Sequence, residues 1–170
     1  MSRKKIRGIA FLIVMLLNVC VAFLFAQGPR LEELVDSSYT IVVGTVEKKE
    51  SVKSKSPRTM VDITTSVVLS VEEYLKRDMR IQEITISYSG GEWEGERLNV
   101  ETEARFVLGE RCLVFLSKDK RKRNVYLVTG GVNGKYAIEN GWVINTSRIF
   151  YGVDKIPLDQ LIAKIKECIR

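Results

Sequence analysis

The 170 residues contain no histidine. That absence removes the side chain best suited to proton transfer near neutral pH and the commonest nitrogen ligand of zinc. Serine triads, cysteine–histidine pairs and histidine-based metal centres are excluded with it. Cysteine is scarce as well, with only Cys20, Cys112 and Cys168, and the first lies inside an apolar run. The other two could form one bridge in an oxidising compartment, closing a long loop. The plainer reading makes both small buried hydrophobes, and two free thiols are expected. Acidic residues are missing altogether before Glu32. No internal repeat of solenoid or propeller length is present.

What stands in the acid-free stretch is a positive cap, Arg3, Lys4, Lys5 and Arg7, followed by residues 9–26 (IAFLIVMLLNVCVAFLFA). A core helix would show a polar face at helical period, and this run has none. At about 1.5 Å per residue it spans roughly 27 Å, near the lower limit for crossing a bilayer. Residues 1–27 are therefore a signal peptide or signal anchor, and residues 28–170 a single domain. Cleavage stays open: the small-residue triplet Ala26-Gln27-Gly28 is followed by Pro29, which hinders a peptidase. Either way the positive-inside rule puts Met1 in the cytoplasm and the domain outside, secreted or tethered to the membrane by residues 9–26. A lipoprotein reading from Leu17-Asn18-Val19-Cys20 is set aside, because six more apolar residues follow that cysteine.

The formal charge of +6 arises largely from this cap. Four of the 27 lysines and arginines belong to it, which leaves 23 basic against 21 acidic residues, a net +2. Overall charge thus gives little support for a nucleic-acid partner.

In the domain, residues 29–38 (PRLEELVDSS) suit a short helix with Pro29 at its first position and Glu32 and Glu33 in its first turn. Residues 39–46 (YTIVVGTV) follow, apolar on both faces and β-branched, with Gly44 inside. Both faces of such a strand must be buried, and an interior glycine marks a bulge or bend where another backbone comes close. Residues 47–58 (EKKESVKSKSPR) read as a mobile hairpin connection. Residues 61–71 alternate strictly, with Val61, Ile63, Thr65, Val67, Leu69 and Val71 on one face, which predicts a half-buried strand. Residues 73–83 read as a polar connection, 84–89 as a third strand, and 92–103 (EWEGERLNVETE) as an acidic irregular segment. Residues 111–117 (RCLVFLS) and 124–129 (NVYLVT) flank a basic tip, KDKRKR, as the fourth and fifth strands. Residues 135–138 make a further short strand, and Trp142 to Ile144 is a candidate for one more. A C-terminal helix opens at Pro157 and carries Leu158, Leu161, Ile162, Ile165 and Ile169 in one apolar stripe, packed against the strands. The fold class is mainly β: a five-stranded Greek-key barrel of the oligonucleotide/oligosaccharide-binding (OB) type, with a helix at each end. A two-sheet sandwich is the runner-up.

The helix LEELV leading into IVVGTV, the segment FVLGERCLVFL and the later GGVNGKYAI resemble a group of small exported prokaryotic proteins. These are similar to the netrin-like barrel of the tissue inhibitors of metalloproteinases. The resemblance covers residues 31–138 and implies the OB-fold barrel. It also implies protease-directed inhibition as an alternative function. Those inhibitors use a mature N-terminal cysteine on the protease zinc and a dense disulfide framework. The candidate N-termini near Gln27 carry no cysteine. The barrel is carried over here, and the inhibition is not.

Catalytic readings fail on chemistry. Ser117-Lys118-Asp119-Lys120 matches Ser-x-x-Lys, but that dyad needs its serine at a buried helix start, and this one ends a strand. Glu92, Glu94, Glu96, Glu101 and Glu103 lack the spacing of a calcium loop, and nothing places them in a pocket that would raise a carboxyl pKa for glycoside hydrolysis. Asn145-Thr146-Ser147 matches the glycosylation acceptor pattern, which is common by chance. The expectation is a non-enzymatic, extracytoplasmic binding module without cofactor or metal.

Two surfaces are candidates for its partner. The tip Lys118, Lys120, Arg121, Lys122 and Arg123 suits an anion. With Tyr88, Phe115 and Tyr126 on nearby strands, a cytoplasmic barrel could hold single-stranded nucleic acid there. The exporting N-terminus argues against that partner and for lipid headgroups or a polyanionic envelope polymer. The segment Gly90, Gly91, Glu92, Trp93, Glu94 and Gly95 could offer an unknown protein an indole anchor with glycines that admit its backbone. The plainer reading packs Trp93 over the barrel's end.

Overall fold

A computed structural model describes residues 31–53, 63–145 and 155–169. The positive cap, the apolar run 9–26, Pro29, residues 54–58, Val61, and Thr146 and Ser147 of the glycosylation pattern lie outside the described residues. Among the described residues no helix is long and apolar enough to cross a membrane.

Helix α1 (Leu31–Ser37) has Glu32 and Glu33 in its first turn and buries Leu34 and Val35. It is too short to hold itself, and its C-terminal carbonyls are taken by side chains. The Ser38 hydroxyl donates to the Leu34 carbonyl at 2.6 Å, and the Lys76 ammonium donates to the carbonyls of Val35 at 2.5 Å and Ser38 at 2.8 Å.

Strands β1 (Thr40–Lys53) and β2 (Ile63–Lys76) form a long antiparallel hairpin, with register shifts at Ile41/Val42, Val43/Gly44 and Val46/Lys48. Two expectations are corrected here. Residues 47–53 are strand rather than loop, and residues 73–76 continue β2 rather than leaving it. Residues 47–53 run beyond the β6 pairing and pair with β2 alone, so they stay polar without being irregular, whereas 73–76 pair with Ile41 to Val43 and bury Leu75. The alternation along 63–70 is as read: Ile63, Thr65, Val67 and Leu69 are buried, and their neighbours are half exposed.

Strand β3 (Glu83–Ser89) pairs with β2, after which β4 (Gly91–Trp93) and β5 (Glu96–Leu98) make a small separate hairpin. Strand β6 (Arg111–Lys118) pairs with β1 from Thr40↔Leu116 to Thr45↔Arg111. Strand β7 (Val125–Val128) lies antiparallel to β6 and parallel to β3. The cycle β1-β2-β3-β7-β6-β1 closes a five-stranded barrel, which excludes the sandwich. Strands β8 (Lys135–Glu139), β9 (Trp142–Asn145) and β10 (Ile156–Pro157) continue the sheet outward from β6. The edge of β6 is divided, with Cys112 to Val114 pairing to β8 and Leu116 to Lys118 to β7. Helix α2 (Leu158–Ile169) closes the described chain. Pro157 ends β10 instead of opening the helix, and Ile169 is exposed rather than part of the buried stripe.

The hydrophobic core has two compartments. Val42, Val46, Val67, Leu69, Ile86, Val114 and Leu116 fill the barrel with Tyr88, Phe106 and Tyr126. Ile41, Val43, Leu113 and Phe115 instead join Leu34, Val35, Leu161 and Ile165 under the two helices. Alternate residues of β1 and β6 thus serve different compartments, which is why both strands are apolar on both faces. Cys112 is buried in the first, Cys168 lies beside the second, and both are free. Burial pushes the Cys112 thiol up to about 12.

One charge is also buried. Lys135 is 1% exposed, and its ammonium donates to both carboxylate oxygens of Glu110 at 2.6 and 2.7 Å. It lies 5.1 Å from the centre of the Phe106 ring.

Candidate functional site

The β6–β7 connection is a built turn. The Asp119 carboxylate accepts the Arg121 backbone N–H at 2.7 Å, the Asp119 N–H donates to the Val125 carbonyl at 2.9 Å, and Asn124 sits at φ 59. Asx turns and left-handed asparagine reverse a chain in few residues. The result presents Lys118, Lys120, Arg121, Lys122 and Arg123 to solvent, and none of them pairs with a described carboxylate.

Lys118, Lys120, Arg121 and Lys122 of this tip, with Asp119 among them, form one wall of an open groove of about 1000 Å³. Thr64 and Ser87 to Ser89 lie along it, Glu103 marks another side, and Leu127 and Val128 add apolar surface. Tyr88 and Tyr126 reach the groove and the neighbouring cavity only by an edge, at 6% exposure each, and Phe115 is under the helices, so these three rings leave no open face for stacking.

The Gly90 to Gly95 segment is placed differently from expectation. Residues 91–98 are a regular hairpin rather than an irregular loop. Glu94 and Gly95 form its turn at φ 47 and 84, the positive pair that a tight two-residue hairpin requires. Its charges are engaged with one another. Glu92 pairs with Arg97 at 3.0 Å, and Lys53 of β1 pairs with Glu96 at 2.6 Å while lying 5.6 Å from the centre of the Trp93 ring. The glycines admit the protein's own chain. The Thr65 hydroxyl donates to the Gly90 carbonyl at 2.5 Å, and a side chain at Gly91 would overlap that same hydroxyl.

Trp93 is half-buried, neither inside the barrel nor fully presented. Trp93→Ala is expected to cost roughly 1–2 kcal/mol, well under the 3–5 kcal/mol of a core tryptophan. Urea unfolding checks this, and a loss at the core value would return Trp93 to the packed interior.

A second, smaller pocket of about 170 Å³ lies where this hairpin meets the barrel, with Lys49, Glu92, Arg97, Asn99, Glu103 and Arg105 around it. Glu103 borders both cavities. Burial raises its carboxyl above the ordinary range, and a hydrogen bond with the Ser89 backbone partly offsets this. Two of the glutamates read as solvated, Glu92 and Glu103, therefore do line a pocket. The pocket exists only because the hairpin folds back, which residue spacing does not signal. Ser117 and Lys120 do not make a dyad: Lys120 is exposed, and the Ser117 hydroxyl points to the Leu127 carbonyl at 3.5 Å. Among the described residues no group of three acidic or thiol side chains gathers as a metal site.

Compared with known proteins, the chain matches no family model, and no curated protein is similar enough in sequence to count as a relative.

Proposed function

We propose that the protein is an extracytoplasmic, non-enzymatic binding module whose groove beside the 118–123 tip takes a polyanionic envelope polymer. The observation that carries this is a wall of basic side chains, free of carboxylate partners among the described residues, along a groove of about 1000 Å³. Unpaired cations along one wall focus the field and raise the local concentration of an anionic chain. The positive cap and apolar run support the location. The strand cycle, antiparallel except at β3–β7, is the order of a Greek-key OB barrel, and we assign the barrel to that type, as the netrin-like resemblance implies. Nothing in the groove favours protease inhibition.

The test has two parts. Protease applied to intact spheroplasts should remove the domain, and protection until lysis would refute the location. Reversing Lys120, Arg121 and Lys122 to glutamate should weaken binding of the purified protein to polyphosphate about a hundredfold, since each basic residue contributes about 1 kcal/mol near such a surface. Binding should also weaken steeply with salt. Equal affinity for wild type and variant would refute the groove.

A further inference from the structure

Lys118 faces two ways, because it also reaches a cluster at the mouth of β1. Its ammonium lies 4.2 Å from the centre of the Tyr39 ring, and the guanidinium of Arg77, at the end of β2, lies 4.4 Å from the same centre. Two cations thus converge on one phenol, and neither has a described carboxylate partner. The acids next in sequence each accept a backbone N–H, Asp78 from Arg80 at 2.8 Å and Asp119 from Arg121 at 2.7 Å, and neither is within ion-pair distance of the two cations.

The three groups are also held in place by the backbone. Arg77 sits at φ 52, a conformation few residues other than glycine adopt. The fully buried Thr40 hydroxyl fixes it there, within 2.8 Å of the Lys76 carbonyl and 3.1 Å of the Arg77 carbonyl. The Tyr39 N–H donates to the Leu116 carbonyl at 2.7 Å, and its ring lies 6.3 Å from Tyr126. Beside the cluster is a cavity of about 340 Å³ lined by Lys118, Asp119, Lys122, Arg123 and Tyr126.

We infer that Arg77, Lys118 and the Tyr39 hydroxyl form a binding site for a phosphate group. A phosphate offers enough oxygens to take a guanidinium fork, an ammonium and a phenol O–H together. A carboxylate could accept as many bonds, but only in one plane and with a single charge, whereas a phosphate sets its oxygens tetrahedrally and brings up to two charges to the two cations. The inference rests on the proposed polyanion-binding groove and narrows its ligand to a phosphate-bearing one, whether a polymer or a lipid headgroup. Lys118 and then Arg77, directed at the phenol oxygen, already hold the Tyr39 hydroxyl below the ordinary tyrosine range. A bound phosphate between them should cancel that effect and move the phenol back up.

The experiment uses the purified protein with polyphosphate, polyglutamate of equal charge, and vesicles with and without phosphatidylglycerol. Arg77→Gln and Tyr39→Phe should each weaken polyphosphate binding about tenfold, the loss of one charge-assisted or hydroxyl contact, and change polyglutamate binding less than about twofold. Arg77→Lys should recover only part, because an ammonium has no fork. In the wild type, inorganic phosphate should raise the titration of the phenolate absorbance that Tyr39→Phe removes. Vesicle binding that needs phosphatidylglycerol and Arg77 would place the phosphate on a lipid, and polyphosphate binding alone would place it on a polymer. Equal binding of both polymers, unchanged by Arg77→Gln, overturns the phosphate site and leaves the groove standing. No polymer binding, with a Tyr39 titration indifferent to phosphate, overturns both.

Discussion

A Gly44→Val protein is expected to lose more than about 3 kcal/mol of stability and to melt at least about 10 °C lower than the wild type, if it folds at all. Gly44 is not among the glycines held at positive φ, so its backbone would accept other residues. Space is what excludes them. A Cβ there would overlap the Ser70 carbonyl oxygen of β2 and meet the Leu69 side chain at 3.0 Å. A flexible side chain could move aside, but a backbone carbonyl within the β1–β2 pairing cannot. The glycine lies at a register shift and pairs with Val71 on one side and Cys112 on the other, so no edge is free to give way. Thermal melting followed by circular dichroism reads the result. A melting point within a degree or two of wild type would show that β1 is not pinned between its neighbours at this position.

The second large effect concerns the buried ion pair. Removing the Glu110 carboxylate would leave the Lys135 ammonium, 1% exposed, facing only the Phe106 ring. Glu110→Ala should therefore cost about 3–5 kcal/mol, the usual penalty for stranding a buried charge. Replacing both partners, Glu110→Leu with Lys135→Met, should regain most of that, because an apolar pair carries no desolvation cost. Urea unfolding of the single and double variants separates the two contributions. A single variant within about 1 kcal/mol of wild type would mean that water reaches the lysine.

Much of the barrel was legible from local pattern. The alternation along 63–70 and the doubly apolar β1 are direct consequences of which faces are buried, and burial leaves its mark residue by residue. What was misread shares one cause. Residues 47–53 pair as strand where little hydrophobic surface is covered, and in 73–76 the buried Leu75 stands between charged neighbours, so composition makes both resemble loops. The hairpin at 91–98 is held by charge pairs and a turn, again without an apolar face. At the site, the basic tip was visible because its residues are consecutive. Tyr39 and Arg77 were not, since each acquires its meaning only when β1, β2 and β6 meet.

The closing pair of the barrel also fixes an order of events. β1 has its nearer neighbour, β2, within the same hairpin, but its other neighbour is β6, roughly seventy residues later in the chain. During synthesis β1 is made early and must wait, with Ile41, Val42 and Val43 uncovered, until Leu113 to Leu116 have emerged. Loop-closure entropy is lost before these contacts form, which places barrel closure late and makes the half-finished chain the aggregation-prone species. Until then the free edge of the first strand is a template for pairing with a neighbouring copy of the chain.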